Sequence, residues 1–172
     1  MSRGDNGSIF PSDLKPSPRS GGLFGFGSAS MSGIDLDRYI AAVIHIESGG
    51  NPHAKARTSS ASGLFQFVRS TWEDIMPGVP FSEAMNPGVA TVAFEKLSRQ
   101  NYDSLRSDLG RAPKEDELYM AHFAGPGTAA RIIQADDNTP LGRIFDHESM
   151  HANPFLAQLG TAGRYRDWLH DK

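Results

Sequence analysis

The sequence contains no cysteine. Disulfide scaffolds, thiolate nucleophiles and cysteine-ligated zinc are therefore excluded, and the lack suits a protein that works outside the cytosol. No window holds the eighteen consecutive apolar residues of a membrane span, so none is expected. Positive charge is not in excess: 17 Lys+Arg stand against 20 Asp+Glu, a net charge of −3. A sequence-independent nucleic-acid binder needs a basic face to displace phosphate counterions, so no nucleic-acid partner is expected. The apolar segment of a secretory signal is missing from the N-terminus, where Arg3 is followed by polar residues. Long alternating runs and internal repeats are missing too, which excludes a sheet core and a solenoid.

What is present divides in two. Residues 1–33 are crowded with Ser, Gly and Pro, as in Lys15-Pro16-Ser17-Pro18-Arg19-Ser20-Gly21-Gly22. Ordering such a stretch costs more conformational entropy than its few apolar groups offset, so a disordered arm is expected. Leu23-Phe24-Gly25-Phe26 is an apolar spot within it, and Arg3-Gly4-Asp5 spells an adhesion tripeptide that matches by chance easily. Residues 34–172 are long enough for one domain with its own core.

The pattern of that domain is helical. Ser32 and Asp35 have capping-box spacing. Leu36, Ile40, Val43, Ile44 and Glu47 fall on one helical face, and Ser48-Gly49-Gly50-Asn51-Pro52 ends the helix. A polar loop runs to Gly63, and Leu64 to Phe67 is a short apolar run. Ser70 to Met76 suits a turn or two of helix. Asn86-Pro87 opens a longer helix, Asn as cap and Pro at the first position. Further helices are expected after Pro113, over Ala129 to Gln134, over Pro140 to Phe145, after Asn153-Pro154, and over Arg164 to His170. The expected fold is mainly α, a single domain of short helices.

Glu47 is the first candidate for chemistry. It ends an apolar helix face, at the edge of the expected core. Partial desolvation raises a carboxyl pKa and suits a general acid at neutral pH. The plain alternative is a helix-terminal Glu that turns to solvent, although a helix C-terminus disfavours negative charge.

The blocks around Glu47 carry a resemblance. Ile46-Glu47-Ser48-Gly49-Gly50-Asn51-Pro52 is followed by Ser60-Ala61-Ser62-Gly63-Leu64-Phe65-Gln66-Phe67, then Thr71, and later Ala121-His122-Phe123-Ala124-Gly125-Pro126-Gly127. In this order they resemble the soluble lytic transglycosylase (SLT) family, whose catalytic domain is lysozyme-like, of the goose type. The resemblance spans roughly residues 34–168. It implies cleavage of the β-1,4 bond between N-acetylmuramic acid and N-acetylglucosamine in peptidoglycan. In that chemistry one Glu, here Glu47, protonates the glycosidic oxygen. It then takes the proton of the muramoyl C6 hydroxyl, which closes a 1,6-anhydro ring. Neither a second carboxylate, as used in ordinary glycoside hydrolysis, nor a cofactor or metal is implied.

The residues themselves suit such a cleft. Gly63 permits backbone close to a sugar. Gln66 offers donor and acceptor groups to hydroxyls and acetamides. Phe65 stands where the family commonly has Met and could form an apolar wall, with core packing as its alternative. Ser62 is a further candidate contact, and Ser48 is read as support for the helix end. The third block departs from the family: His122 replaces a Tyr and Phe123 an Asn. His122 can still donate a hydrogen bond and would add pH sensitivity near neutrality, or it is a packed core histidine. Tyr119, one turn earlier, or Tyr165 near the C-terminus could supply a phenol instead.

Rival readings remain. The same fold could serve a hydrolytic muramidase, or a glycan-binding module without activity. His147-Glu148-Ser149-Met150-His151 fits the zinc-peptidase pattern H-E-x-x-H. Asn153-Pro154 argues against a long helix there, and a loop is expected instead. The implied partner is the peptidoglycan glycan strand, acted on in the periplasm or cell wall. Release by lysis, carriage in a virion, or a specialised secretion machine would each deliver the protein, with residues 1–33 as an attachment arm.

Overall fold

A computed structural model describes residues 31–57 and 59–171. The expected arm therefore lies outside the described residues except for its last three positions. Of these, Met31 is buried, and its carbonyl accepts from Ile34 N at 3.0 Å. Among the described residues there is no strand, only isolated bridges such as Lys55 with Ser62 and Ser62 with Phe67. No described helix is long and apolar enough to cross a membrane. The helices fall into two compact units, residues 31–100 and residues 101–171.

The first unit opens with α1, Leu36–Ser48. Asp35, and not Ser32, is its N-cap: the Asp35 carboxylate accepts from Arg38 N at 3.1 Å. The buried face also differs from the expected one. Tyr39, Ala42 and Val43 are buried, whereas Leu36, Ile40 and Ile44 are half-buried. The large ring of Tyr39 claims the core, and the face rotates toward it. Gly49 ends the helix at φ 59°, donating to His45 O at 3.1 Å.

A ladder of aromatic rings holds this unit together. Tyr39 stacks on Phe94 at 5.6 Å between centroids, and Phe94 stacks on Phe65 at 4.2 Å with the planes 6° apart. Phe65 meets Phe67 edge-on, Phe67 meets Trp72, and Trp72 meets Phe81. The ladder thus joins α1, the loop after it, α2 (Arg69–Ile75), the 3-10 turn Phe81–Met85 and the first half of α3 (Pro87–Leu109). Fully buried aromatic pairs contribute on the order of 1 kcal/mol each beyond their area. Two polar ties fix the same elements: Trp72 Nε1 donates to Val79 O at 2.9 Å, and Lys96 Nζ to Ile75 O at 2.7 Å.

The second unit takes the rest of α3 and then α4 (Glu115–Ala124), α5 (Pro126–Gln134), a 3-10 turn at Leu141–Arg143, α6 (His147–Ala152), α7 (Pro154–Leu159) and α8 (Ala162–His170). Helix α4 starts two residues after Pro113. Its first turn is tied by Glu117, which accepts from Lys114 N at 2.8 Å and pairs in bidentate fashion with Arg111 at 2.8 and 2.6 Å. Burial works to raise the Glu117 pKa, but the Arg111 guanidinium and the Lys114 amide outweigh it and hold it below the usual range. Asp116 beside it is raised, chiefly by burial. Residues 147–152, expected as a loop, form a short helix because the Asp146 carboxylate caps it, accepting from Ser149 N at 2.6 Å.

Candidate active site

Glu47 sits in the last turn of α1, one turn beyond the buried Val43, and is half-buried. It occupies the boundary between core and solvent that its sequence position implied. Ser48 does not face outward: its Oγ donates to Ile44 O at 3.0 Å within the helix. Beyond the Gly49 cap the chain turns at once, with Asn51 Oδ1 accepting from His53 N at 2.9 Å.

The loop that follows returns through a small knot of backbone bonds. Ser62 and Phe67 exchange two hydrogen bonds at 3.0 Å, and Gly63 N donates to Ala54 O at 2.9 Å. At the apex Gln66 adopts φ 48°, a left-handed conformation rare for a side chain of its size. Its own amide sustains that turn: Nε2 donates to Gly63 O at 2.9 Å and to Ala54 O at 3.3 Å. The donors expected to meet sugar hydroxyls are used within the loop, which leaves Oε1 as the acceptor that Gln66 offers.

Two expectations for this loop are corrected. Phe65 is not a cleft wall. It is 0% exposed, and its ring is sandwiched into the aromatic ladder, so it supports the loop from beneath. Gly63 is required by backbone, not by sugar: at φ 82° a Cβ there would lie 2.0 Å from Ala84 O. Ser62 is buried as well, its Oγ donating to Ser60 O at 3.0 Å.

The third block lies in the second unit. Tyr119 and His122 share one side of α4, with ring centroids 6.1 Å apart; Tyr119 is buried and His122 half-buried. Phe123 is 42% exposed and groups with Phe155 and Trp168 at 6.0 and 6.1 Å. Tyr165 is fully buried between Phe145 and Trp168, and burial pushes its phenol pKa up. A fully buried ring does not reach a glycan, so its expected substrate contact is replaced by packing. His147 and His151 stack at 6.5 Å on the exposed side of α6. Among the described residues no group of three potential ligands forms around them or elsewhere, and α6 ends within a residue of His151.

Sequence reasoning missed Lys55, Arg69 and Phe81, which with Ser59, Ser60 and Ser62 line a hollow of about 430 Å³ in the first unit. Only the basic residues of the loop hinted at it, because Phe81 arrives from a distant turn.

The comparison with known families is specific. The family described as Transglycosylase SLT domain matches residues 27–140, most of the chain. The chain belongs to that family, and its fold is lysozyme-like. A protein of Staphylococcus aureus (strain Newman) named probable transglycosylase SceD is 38% identical over 50 residues, 29% of this chain and 22% of that protein. The protein of the same name in Staphylococcus carnosus (strain TM300) is 36% identical over 72 residues, 40% of this chain and 31% of its relative. The chain thus spans less than a third of the length of these curated relatives.

Proposed function

We propose that this chain is a peptidoglycan lytic transglycosylase with Glu47 as its single acid and base. The observation that carries the reading is the position of Glu47. It is a half-buried carboxylate at the end of α1, directly before the loop built around Gln66, in a chain of the SLT family. A general acid must stand at such a boundary, held by the fold and open to substrate, to protonate a glycosidic oxygen. After the bond between N-acetylmuramic acid and N-acetylglucosamine breaks, the same carboxylate takes the C6 hydroxyl proton, and O6 closes on C1. The proton balance is complete with one residue. Gln66 Oε1 accepts from a sugar N–H or hydroxyl, and the half-buried His122 on α4 is a further candidate glycan contact. The place of action is the periplasm or cell wall, with residues 1–33 as the attachment arm in a virion, a secretion machine or a lysis system.

Mass spectrometry of fragments from purified peptidoglycan tests this reading. The expected products end in 1,6-anhydro-muramoyl residues. Reducing muramoyl ends, heavier by one water, would assign a hydrolytic muramidase instead. Loss of activity on chelation would return the His147–His151 helix to consideration.

A further inference from the structure

The loop after Glu47 carries a charge pattern that glycan cleavage does not require. No acidic residue occurs between Glu47 and Glu73, while Lys55, Arg57 and Arg69 all fall there, in a chain whose net charge is −3. Two of these cations converge on the hollow lined by Lys55, Ser59, Ser60, Ser62, Arg69 and Phe81. No carboxylate lines it. Glu83, on the turn that supplies Phe81, lies outside the lining and accepts from Asn86 Nδ2 at 3.1 Å. Among the described residues neither Lys55 nor Arg69 is ion-paired.

The hollow is preorganised. The Arg69 guanidinium lies over the Phe81 ring, 4.7 Å from its centroid. Stacking leaves the edge of a guanidinium, with its paired N–H groups, to meet a planar anion. The floor is fixed by Arg69 N donating to Ser60 Oγ at 3.0 Å, by Ala56 N donating to Ala61 O at 2.9 Å, and by the bridge between Lys55 and Ser62. A neutral sugar gains little from two unpaired cations. A carboxylate gains charge-assisted hydrogen bonds from both.

We propose that this hollow is an anion subsite that holds a carboxylate of the peptide arms carried by the glycan strand. It rests on the peptidoglycan reading above and adds to it a selection of strands that bear peptides over strands stripped of them. Lys55 and Arg69 bind the carboxylate, and Phe81 orients Arg69. None of the three takes part in bond cleavage.

The test uses two substrates, intact peptidoglycan and the same strands freed of peptides by an amidase, whose one remaining carboxylate is the lactyl group held against the sugar ring and not on a peptide arm. Binding is read by co-sedimentation, and cleavage by KM and kcat. The double variant K55Q/R69Q should bind intact strands about tenfold more weakly, with kcat unchanged and binding to stripped strands unchanged. The charge-preserving K55R/R69K should retain most of the preference, and rising salt should erase it in the wild type. K55Q alone removes an exposed side chain without disturbing the Arg69 stack and should lose about threefold on intact strands only. Equal binding of wild type and variants to intact strands, or equal losses on both substrates, would overturn the proposal. If the wild type cleaves neither substrate, the activity reading fails, and the co-sedimentation comparison still decides the subsite.

Discussion

The two units are built on different principles. The first, residues 31–100, is tied by rings distant in sequence: Tyr39, Phe65 and Phe94 stack as one column, and Trp72 and Phe81 extend it. The second, residues 101–171, is a succession of short helices joined by local caps, with its aromatic group of Phe123, Phe155 and Trp168 partly at the surface. The first holds Glu47 and the Gln66 loop, where the family blocks are best kept. The second holds His122 and Phe123, where they depart. The column gives the elements around Glu47 a rigid base, whereas the aromatic group of the second unit is partly exposed.

Breaking the column should show this contrast most strongly. Phe65→Ala empties a fully buried site stacked on Phe94 and edge-on to Phe67, and should cost about 3–5 kcal/mol, read by thermal or denaturant unfolding. A large rise in KM with unchanged stability would instead restore Phe65 as a cleft wall. Gly63→Ala should cost about 2–4 kcal/mol, because its Cβ meets the Ala84 backbone at a positive φ. Loss of activity should follow the loss of fold.

In the second unit the expected effects are smaller. Glu117→Gln should cost about 1–2 kcal/mol at neutral pH, discounted because Arg111 is half-exposed. The folded pKa of Glu117 lies below its ordinary 4.5. Its contribution is therefore present above pH 4.5 and is lost as pH falls through the folded value. Unfolding measured from pH 7 downward should show a flatter acid limb for the variant. The smallest effect is expected for His122→Phe: a modest loss of turnover with stability little changed. Unaltered turnover would make His122 a packing residue.

Local signals were legible in the sequence, and long-range ones were not. The Gly49 stop, the Asn86-Pro87 start and Glu47 at a helix end follow from chemistry within a few residues. The burial of Phe65 depends on Phe94, which belongs to a different helix, and the need for Gly63 depends on the Ala84 carbonyl. Tyr39 displaced the expected α1 face for the same reason, since a partner ring decides which side is core. The α6 helix forms despite the break at Asn153-Pro154, because the Asp146 cap starts it and it ends before the break. The blocks that carry the family resemblance were readable as residue types in order. The internal use of the Gln66 donors appears only with the folded loop.

The central claim is that Glu47 alone moves the proton. Turnover of purified peptidoglycan by Glu47→Gln, with its fold verified by circular dichroism and its glycan binding by co-sedimentation, tests it most directly. The substitution keeps shape and removes the ionisable proton, so a rate loss of about 10²–10⁴-fold with binding retained is expected. Cleavage at the wild-type rate by the folded variant would contradict the account.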